Sequence, residues 1–142
     1  ALRMAMPAVS VAHAFGRIGC FLAGCCYGKQ SDGFIAVTFP FGDGQGVPRI
    51  PTQLIEAIFL FALFAVLICL AVKKKDVLCA FIYSTGYSVF RFVIEFFRDD
   101  NRGKLVKYLS PSQFICLIIF IASIIGITIA LIIKSKRKVS KT

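Results

Sequence analysis

Arg91 and Glu95 sit inside residues 77–97, VLCAFIYSTGYSVFRFVIEFF, a run long and apolar enough to cross a membrane. A charge at the centre of a bilayer costs about 3 kcal/mol even on a lenient scale, so neither residue is there by default. They are four apart, share a helix face and can pair. Tyr87 lies four residues before Arg91 on the same stripe. One reading is an internal ion pair that glues two helices. The other is a polar cavity at the membrane–water boundary. An arginine suits a phosphate there, because its planar fork donates two parallel hydrogen bonds.

A second arginine, Arg17, stands among apolar residues in HAFGRIG (13–19), and His13, the single histidine, precedes it by four. His13 is either a general base near its natural pKa or a hydrogen-bonded structural residue. Gly16, Gly19, Gly24 and Gly28 allow a tight helix crossing, which does not account for the arginine. Two membrane-embedded arginines and one nearby acid imply an anionic ligand, with a lipid headgroup as the natural candidate. Further along, RIPTQLIE (49–56) marks entry into a helix. Pro51 and Thr52 suit a helix start, and Glu56 is expected in the favourable first turn. Arg49 and Gln53 have no such structural reason and are expected to face Arg17 if the helices pack as neighbours.

Of the six cysteines, Cys69, Cys79 and Cys116 lie in apolar runs and read as small buried hydrophobes. Cys20, Cys25 and Cys26 cluster in CFLAGCCYG. The spacing is not C-x-x-C, so neither a zinc knuckle nor a thioredoxin motif fits. A soft-metal site with His13 is set aside, and no metal is expected. On an ideal helix the side chains of Cys20 and Cys25 point about 140° apart, so a bond between them needs a break at Gly24. Free thiols are expected.

These residues must be held by helices. The chain has 142 residues, 58% hydrophobic and 17% charged, with 15 Phe and no Trp. Mean hydropathy is +0.81. Such a composition excludes a disordered chain, a disulfide-rich secreted module and a small soluble enzyme. Three runs reach membrane-spanning length, at 54–72, 77–97 and 112–133. A weaker one, 4–27, is interrupted by Pro7, the glycines, His13 and Arg17, and is expected to end or bend near the glycines. The segment 28–53, rich in Gly and Pro with a β-like run at 34–39, reads as an ordered loop or small hairpin. Residues 1–15 lack the order of a signal peptide. The expected fold class is all-α: a single-domain polytopic transmembrane bundle of three full spans plus a weaker, glycine-broken first helix.

The net charge of +10 would point to nucleic acid in a soluble protein. Here much of it flanks apolar runs, and no nucleic-acid partner is expected. Lys73–Lys75 and the 134–142 tail are separated by two crossings and lie on one side, cytoplasmic by the positive-inside rule. The loops 28–53 and 98–111 then face outward.

The segments GRIGCFLAGCCYG (16–28), RIPTQLIEA (49–57) and GYSVFRFVIEFFRDDNRG (86–103), in this order, resemble the bacterial prolipoprotein diacylglyceryl transferases, and SPSQ (110–113) fits as well. The resemblance implies a multi-pass enzyme of the bacterial inner membrane. It would move the diacylglyceryl group of phosphatidylglycerol onto the lipobox cysteine thiol of a preprolipoprotein signal peptide, with glycerol phosphate leaving and no cofactor. Arg17 matches the arginine of the family's Gly-Arg-x-Gly signature, and Gly28 matches its closing glycine. Arg91 matches the essential arginine of the late helix, with Tyr87 and Glu95 the tyrosine and acid one turn to either side.

The expected catalytic residues are therefore Arg91, Arg17 and Tyr87. The expected substrate-binding residues are Arg17, Gly28, Arg49, Gln53, Glu95 and His13. Cys20 stands where the family signature has Asn, and Cys25 where it has Glu. The family's N-terminal half, with its His-Gly-Gly motif, has no counterpart here, so the chain is expected to be the C-terminal part of a divergent member. Competing expectations are a non-catalytic lipid-binding membrane subunit and a thiol-based redox or metal protein using Cys20, Cys25 and Cys26.

Overall fold

A computed structural model describes residues 2–42, 44–98 and 110–139. Most of the expected 98–111 loop, including the DDNRG end of the third motif (99–103), lies outside the described residues, as does the end of the basic tail. The elements are α1 (Leu2–Leu22), β1 (Val37–Thr38), β2 (Pro48–Arg49), α2 (Thr52–Val72), α3 (Asp76–Ile94), a 3-10 turn (Glu95–Phe97) and α4 (Pro111–Val139). Among the described residues four helices are long and apolar enough to cross a membrane: Met4–Leu22, Thr52–Val72, Val77–Phe97 and Pro111–Ile133. The protein is an all-α polytopic bundle.

The distribution of polarity is inverted relative to a soluble bundle. Ser10, Thr52, Gln53, Glu56, Ser88, Arg91, Gln113 and Ser123 are buried, while Ile58, Ile118, Ile125 and Leu131 are exposed. That is the arrangement a lipid solvent demands, since apolar faces cost nothing there and polar groups must find partners inside. α1 packs chiefly on α2, α3 touches both α2 and α4, and α1 also reaches α3. Polar side chains tie the crossings. The Ser10 hydroxyl donates to the Leu60 carbonyl at 2.9 Å, and the Ser123 hydroxyl to Ser84 at 2.9 Å. Gly126 lets α4 close on the Phe81 ring, which a Cβ there would meet at 2.6 Å.

The first helix is more regular than its composition implied. Gly16 and Gly19 lie within it, and the helix ends at Leu22, just before Gly24 takes a left-handed φ of +64°. The α2–α3 turn is closed by three lysines. Lys75 N–H bonds to the Leu70 carbonyl, Lys74 N–H to that of Ala71, and Lys74 is left-handed at φ 57°. This is a Schellman ending with lysine where glycine is usual. α4 opens on a capping box. Gln113 N–H bonds to Ser110 Oγ at 3.2 Å, and Ser110 N–H to Gln113 Oε1 at 3.0 Å.

The 28–53 segment is ordered. Of the β-like run at 34–39, Val37–Thr38 pairs antiparallel to Pro48–Arg49 and Phe39 makes an isolated bridge to Gln45. The segment's main task is stitching. Gly28 N–H bonds to the Ile50 carbonyl at 2.9 Å and Lys29 N–H to that of Phe97 at 2.8 Å, joining the start of α2 to the end of α3. A Cβ on Gly28 would meet Ile50 O, Phe97 O and Thr52 Cγ2, each at 2.8 Å.

Gly28→Ala therefore pushes backbone against backbone and should cost about 1–3 kcal/mol. Gly16→Ala, with nothing within 4 Å of the new methyl, should not lower stability. Thermal unfolding of the two variants in detergent checks the contrast.

Candidate active site

The site is assembled around a carboxylate that the sequence reading gave a lesser role. α2 begins at Thr52 and has no acid in its first turn, so Glu56 is not placed there to favour the helix dipole. It points into the bundle with only 1% of its side chain exposed. Arg17 Nε of α1 lies 3.0 Å from Glu56 Oε1, an ion pair whose N–H does not point along the line between them. The Tyr87 hydroxyl of α3 donates to the same oxygen at 3.1 Å. Arg91 Nη1 lies 3.8 Å from Glu56 Oε2. One carboxylate thus joins three helices.

His13 sits beside this pair. Its Nε2 is 3.4 Å from the Tyr87 hydroxyl and 3.9 Å from Glu56 Oε1, and its ring stands edge-on to the Tyr87 ring at 4.8 Å. Tyr83 stacks parallel on Tyr87 at 6.0 Å. A second carboxylate extends the network toward α4. Arg91 Nη2 pairs with Glu95 Oε2 at 3.1 Å, and Arg98 Nε lies 3.9 Å from the same oxygen. The Ser110 hydroxyl, part of the α4 cap, donates to Glu95 Oε1 at 2.9 Å. The i,i+4 pairing of Arg91 with Glu95 is as the spacing implied.

Among the described residues this network joins three guanidinium groups, of Arg17, Arg91 and Arg98, to two carboxylates. It carries one net positive charge in an apolar bundle. Arg91 Nη1 is buried and makes no hydrogen bond. Fixed donors of this kind in a low-dielectric setting are suited to an anion.

The remaining expected residues make contacts of their own. Gln53 is buried on α2 and its Nε2 donates to the Cys25 carbonyl at 2.7 Å, while Thr52 donates to the Cys26 carbonyl at 3.1 Å. Both side chains hold the 23–27 turn. Arg49 stacks over the Tyr27 ring at 4.3 Å from its centroid. Gly28 lies in the seam described above, where its missing side chain has a packing reason. None of the six cysteines forms a disulfide. Burial, with the neighbouring thiols of Cys26 and Cys20, pushes the Cys25 thiol up to about 11, so it is protonated at neutral pH and a poor nucleophile.

The family model for prolipoprotein diacylglyceryl transferase matches residues 1–129. The chain belongs to that family. It is 42% identical over 125 residues to a phosphatidylglycerol–prolipoprotein diacylglyceryl transferase 2 of Clostridium perfringens, covering 86% of this chain and 48% of the relative. A transferase of the same name from Clostridium tetani is 42% identical over 127 residues, covering 87% of this chain and 50% of the relative. One from Geobacter sulfurreducens is 36% identical over 138 residues, covering 94% and 50%. The chain spans about half the length of these relatives. No solved structure matches it.

Sequence reasoning missed Glu56 as the hub and Ser110 as a partner of Glu95. The signal for Glu56 was the one used for Arg91: an acid five residues into a helix that is otherwise apolar needs a buried partner. Glu56→Ala would leave Arg17 and Arg91 buried without that charge, and removing one member of such a pair costs about 3–5 kcal/mol. Glu56→Gln, which keeps an acceptor for Tyr87, should cost less. Chemical unfolding in detergent should rank them wild type, Gln, Ala.

Proposed function

We propose that this network holds the phosphate of phosphatidylglycerol, and that the chain supplies this half of a diacylglyceryl transfer to the lipobox cysteine of a prolipoprotein signal peptide. The buried Arg91 Nη1 donor, which makes no hydrogen bond among the described residues and stands 3.8 Å from Glu56 Oε2, carries the reading. In the transfer the substrate thiolate attacks the glyceryl carbon that bears the phosphate. The S–C bond forms, the C–O bond breaks, and the electron pair leaves on glycerol phosphate. Negative charge grows on the phosphate oxygens as that bond breaks. Donors already fixed by ion pairs stabilise it without reorganising, an effect worth about 3 kcal/mol per donor removed in other enzymes.

Arg91 is the principal clamp, with Arg17 its partner across Glu56. Glu95 and Ser110 set the Arg91 fork, and Tyr87 fixes the orientation of Glu56. His13, whose side chain is 28% exposed, would take the thiol proton. An apolar groove of about 560 Å³ lies between the 31–36 stretch and the α2–α3 face, lined by Phe34, Ile35, Ile55, Phe90, Val93 and Phe97 among others. It suits an acyl chain. Membrane placement follows from charge: Lys73–Lys75 and the basic end of α4 lie on the cytoplasmic side of the bacterial inner membrane, with the 28–53 segment outside.

The functional test joins this chain to the N-terminal half of the Clostridium perfringens relative in cells depleted of their own transferase. The fusion should restore lipoprotein modification. Arg91→Lys keeps the charge but loses the fork, and should lower transfer about 100-fold or more. Near-normal transfer by that variant sinks the clamp. A cysteine introduced at Lys74 should resist membrane-impermeant labelling of intact cells, and one at Ser31 should accept it. The reverse pattern would invert the placement.

A further inference from the structure

Cys20, Cys25 and Cys26 take no part in the network above, yet their sulfur atoms all lie within 4.8 Å of one another. A regular helix could not do this. The chain curls back after α1 because Gly24 is left-handed at φ +64°, packed so closely on the Phe41 carbonyl that no Cβ fits. Cys26 is left-handed as well, at φ 63°. That region is sparsely used by residues with a side chain, and a cysteine there is a constraint the surroundings must hold.

The surroundings do hold it. Cys25 N–H bonds to the Cys20 carbonyl at 3.1 Å. Gln53 grips the Cys25 carbonyl at 2.7 Å, and Thr52 the Cys26 carbonyl at 3.1 Å. The turn is pinned through its backbone, and the three thiols are left to converge. All three are half-buried and none is in a disulfide.

We propose that Cys20, Cys25 and Cys26 form a three-thiolate site for a thiophilic metal ion of the Zn2+ type, with its fourth position open to an external ligand. Three sulfurs at about 2.3 Å from one ion stand about 3.8 Å apart, so side-chain rotation alone brings the cluster into register. Thiolates select soft and borderline metals over Mg2+ or Ca2+. Among the described residues no carboxylate or imidazole joins the three sulfurs. His13, which the sequence pairs with them by type, is instead engaged with Tyr87 and Glu56. The missing C-x-x-C spacing is no obstacle, because two left-handed residues do what that spacing does elsewhere. The bound ion would fasten the end of α1 to the turn that Gln53 and Thr52 hold, one helical turn from Arg17.

The test uses the purified chain in detergent, reduced and metal-free, titrated with Zn2+ against a chromophoric chelator and with Co2+ followed by thiolate-to-metal charge-transfer absorption. One equivalent should bind. Cys20→Ser, Cys25→Ser and Cys26→Ser should each weaken Zn2+ binding by at least about tenfold and remove Co2+ charge-transfer intensity. A Cys69→Ser, Cys79→Ser, Cys116→Ser triple variant should bind as wild type. Circular dichroism of each variant confirms that the helices persist. Gly24→Ala, which leaves every thiol in place but disturbs the turn, should weaken binding too. No binding by the folded wild type, binding indifferent to all three serine variants, or a disulfide within the cluster of protein purified without oxygen would each overturn the proposal.

Discussion

Burying the Glu56 carboxylate is the constraint on which the bundle's arrangement depends. A lone carboxylate among lipid-facing helices is untenable, so α1 must bring Arg17 and α3 must bring Tyr87 and Arg91 to within reach. That demand fixes the rotation of three helices about their axes at one level. Apolar packing alone would not. Lipid tails are as apolar as Leu or Ile, so contacts such as Leu60 and Leu67 favour close approach but choose a register only weakly. The Ser10 and Ser123 hydroxyls add smaller versions of the same rule at other levels.

The polar chain does not stop at Glu56. Arg91 passes it to Glu95, and Glu95 to Ser110, which is also the cap of α4. One hydroxyl therefore satisfies the first turn of α4 and holds the acid that orients Arg91. On the other flank, Gly28 lets the loop run between the start of α2 and the end of α3, and Gln53 and Thr52 hold the turn after α1. The ends of α1, α2 and α3 are thus knit together by backbone and side-chain bonds at the level where the charges lie.

How much of this was legible in the sequence depended on range. Helix positions followed from apolar length, and the Arg91–Glu95 pair from an i,i+4 spacing; both are local properties. Placing Arg17 with them needed only its oddity in an apolar run. Glu56 was misjudged because a local explanation, a helix start, was available and sufficient in form. The helix does start at Thr52, but that puts Glu56 five residues in, past the first turn, and removes that explanation. Arg49 and Gln53 have no local reason in the sequence, and the partners seen for them, Tyr27 and the Cys25 carbonyl, lie on a loop whose path is set by left-handed residues. The convergence of three cysteines has the same cause. Gly24 can announce a left-handed turn in a sequence; Cys26 cannot.

On the proposed reading, the charge balance gives the carboxylates a reason to stand in an anion site. Three arginines alone would repel one another and could not be buried together in an apolar bundle. Three carboxylates would neutralise them and leave an incoming phosphate nothing to gain. Two carboxylates do both jobs. They hold Arg17, Arg91 and Arg98 in place before any ligand arrives, and they leave the Arg91 Nη1 donor without a hydrogen bond among the described residues. Because the donors are already ordered, an anion that enters is not charged the entropy of gathering flexible side chains around it. On the same reading, that fixed geometry would answer charge that develops during a reaction, since the dipoles and ions facing it need not move to meet it.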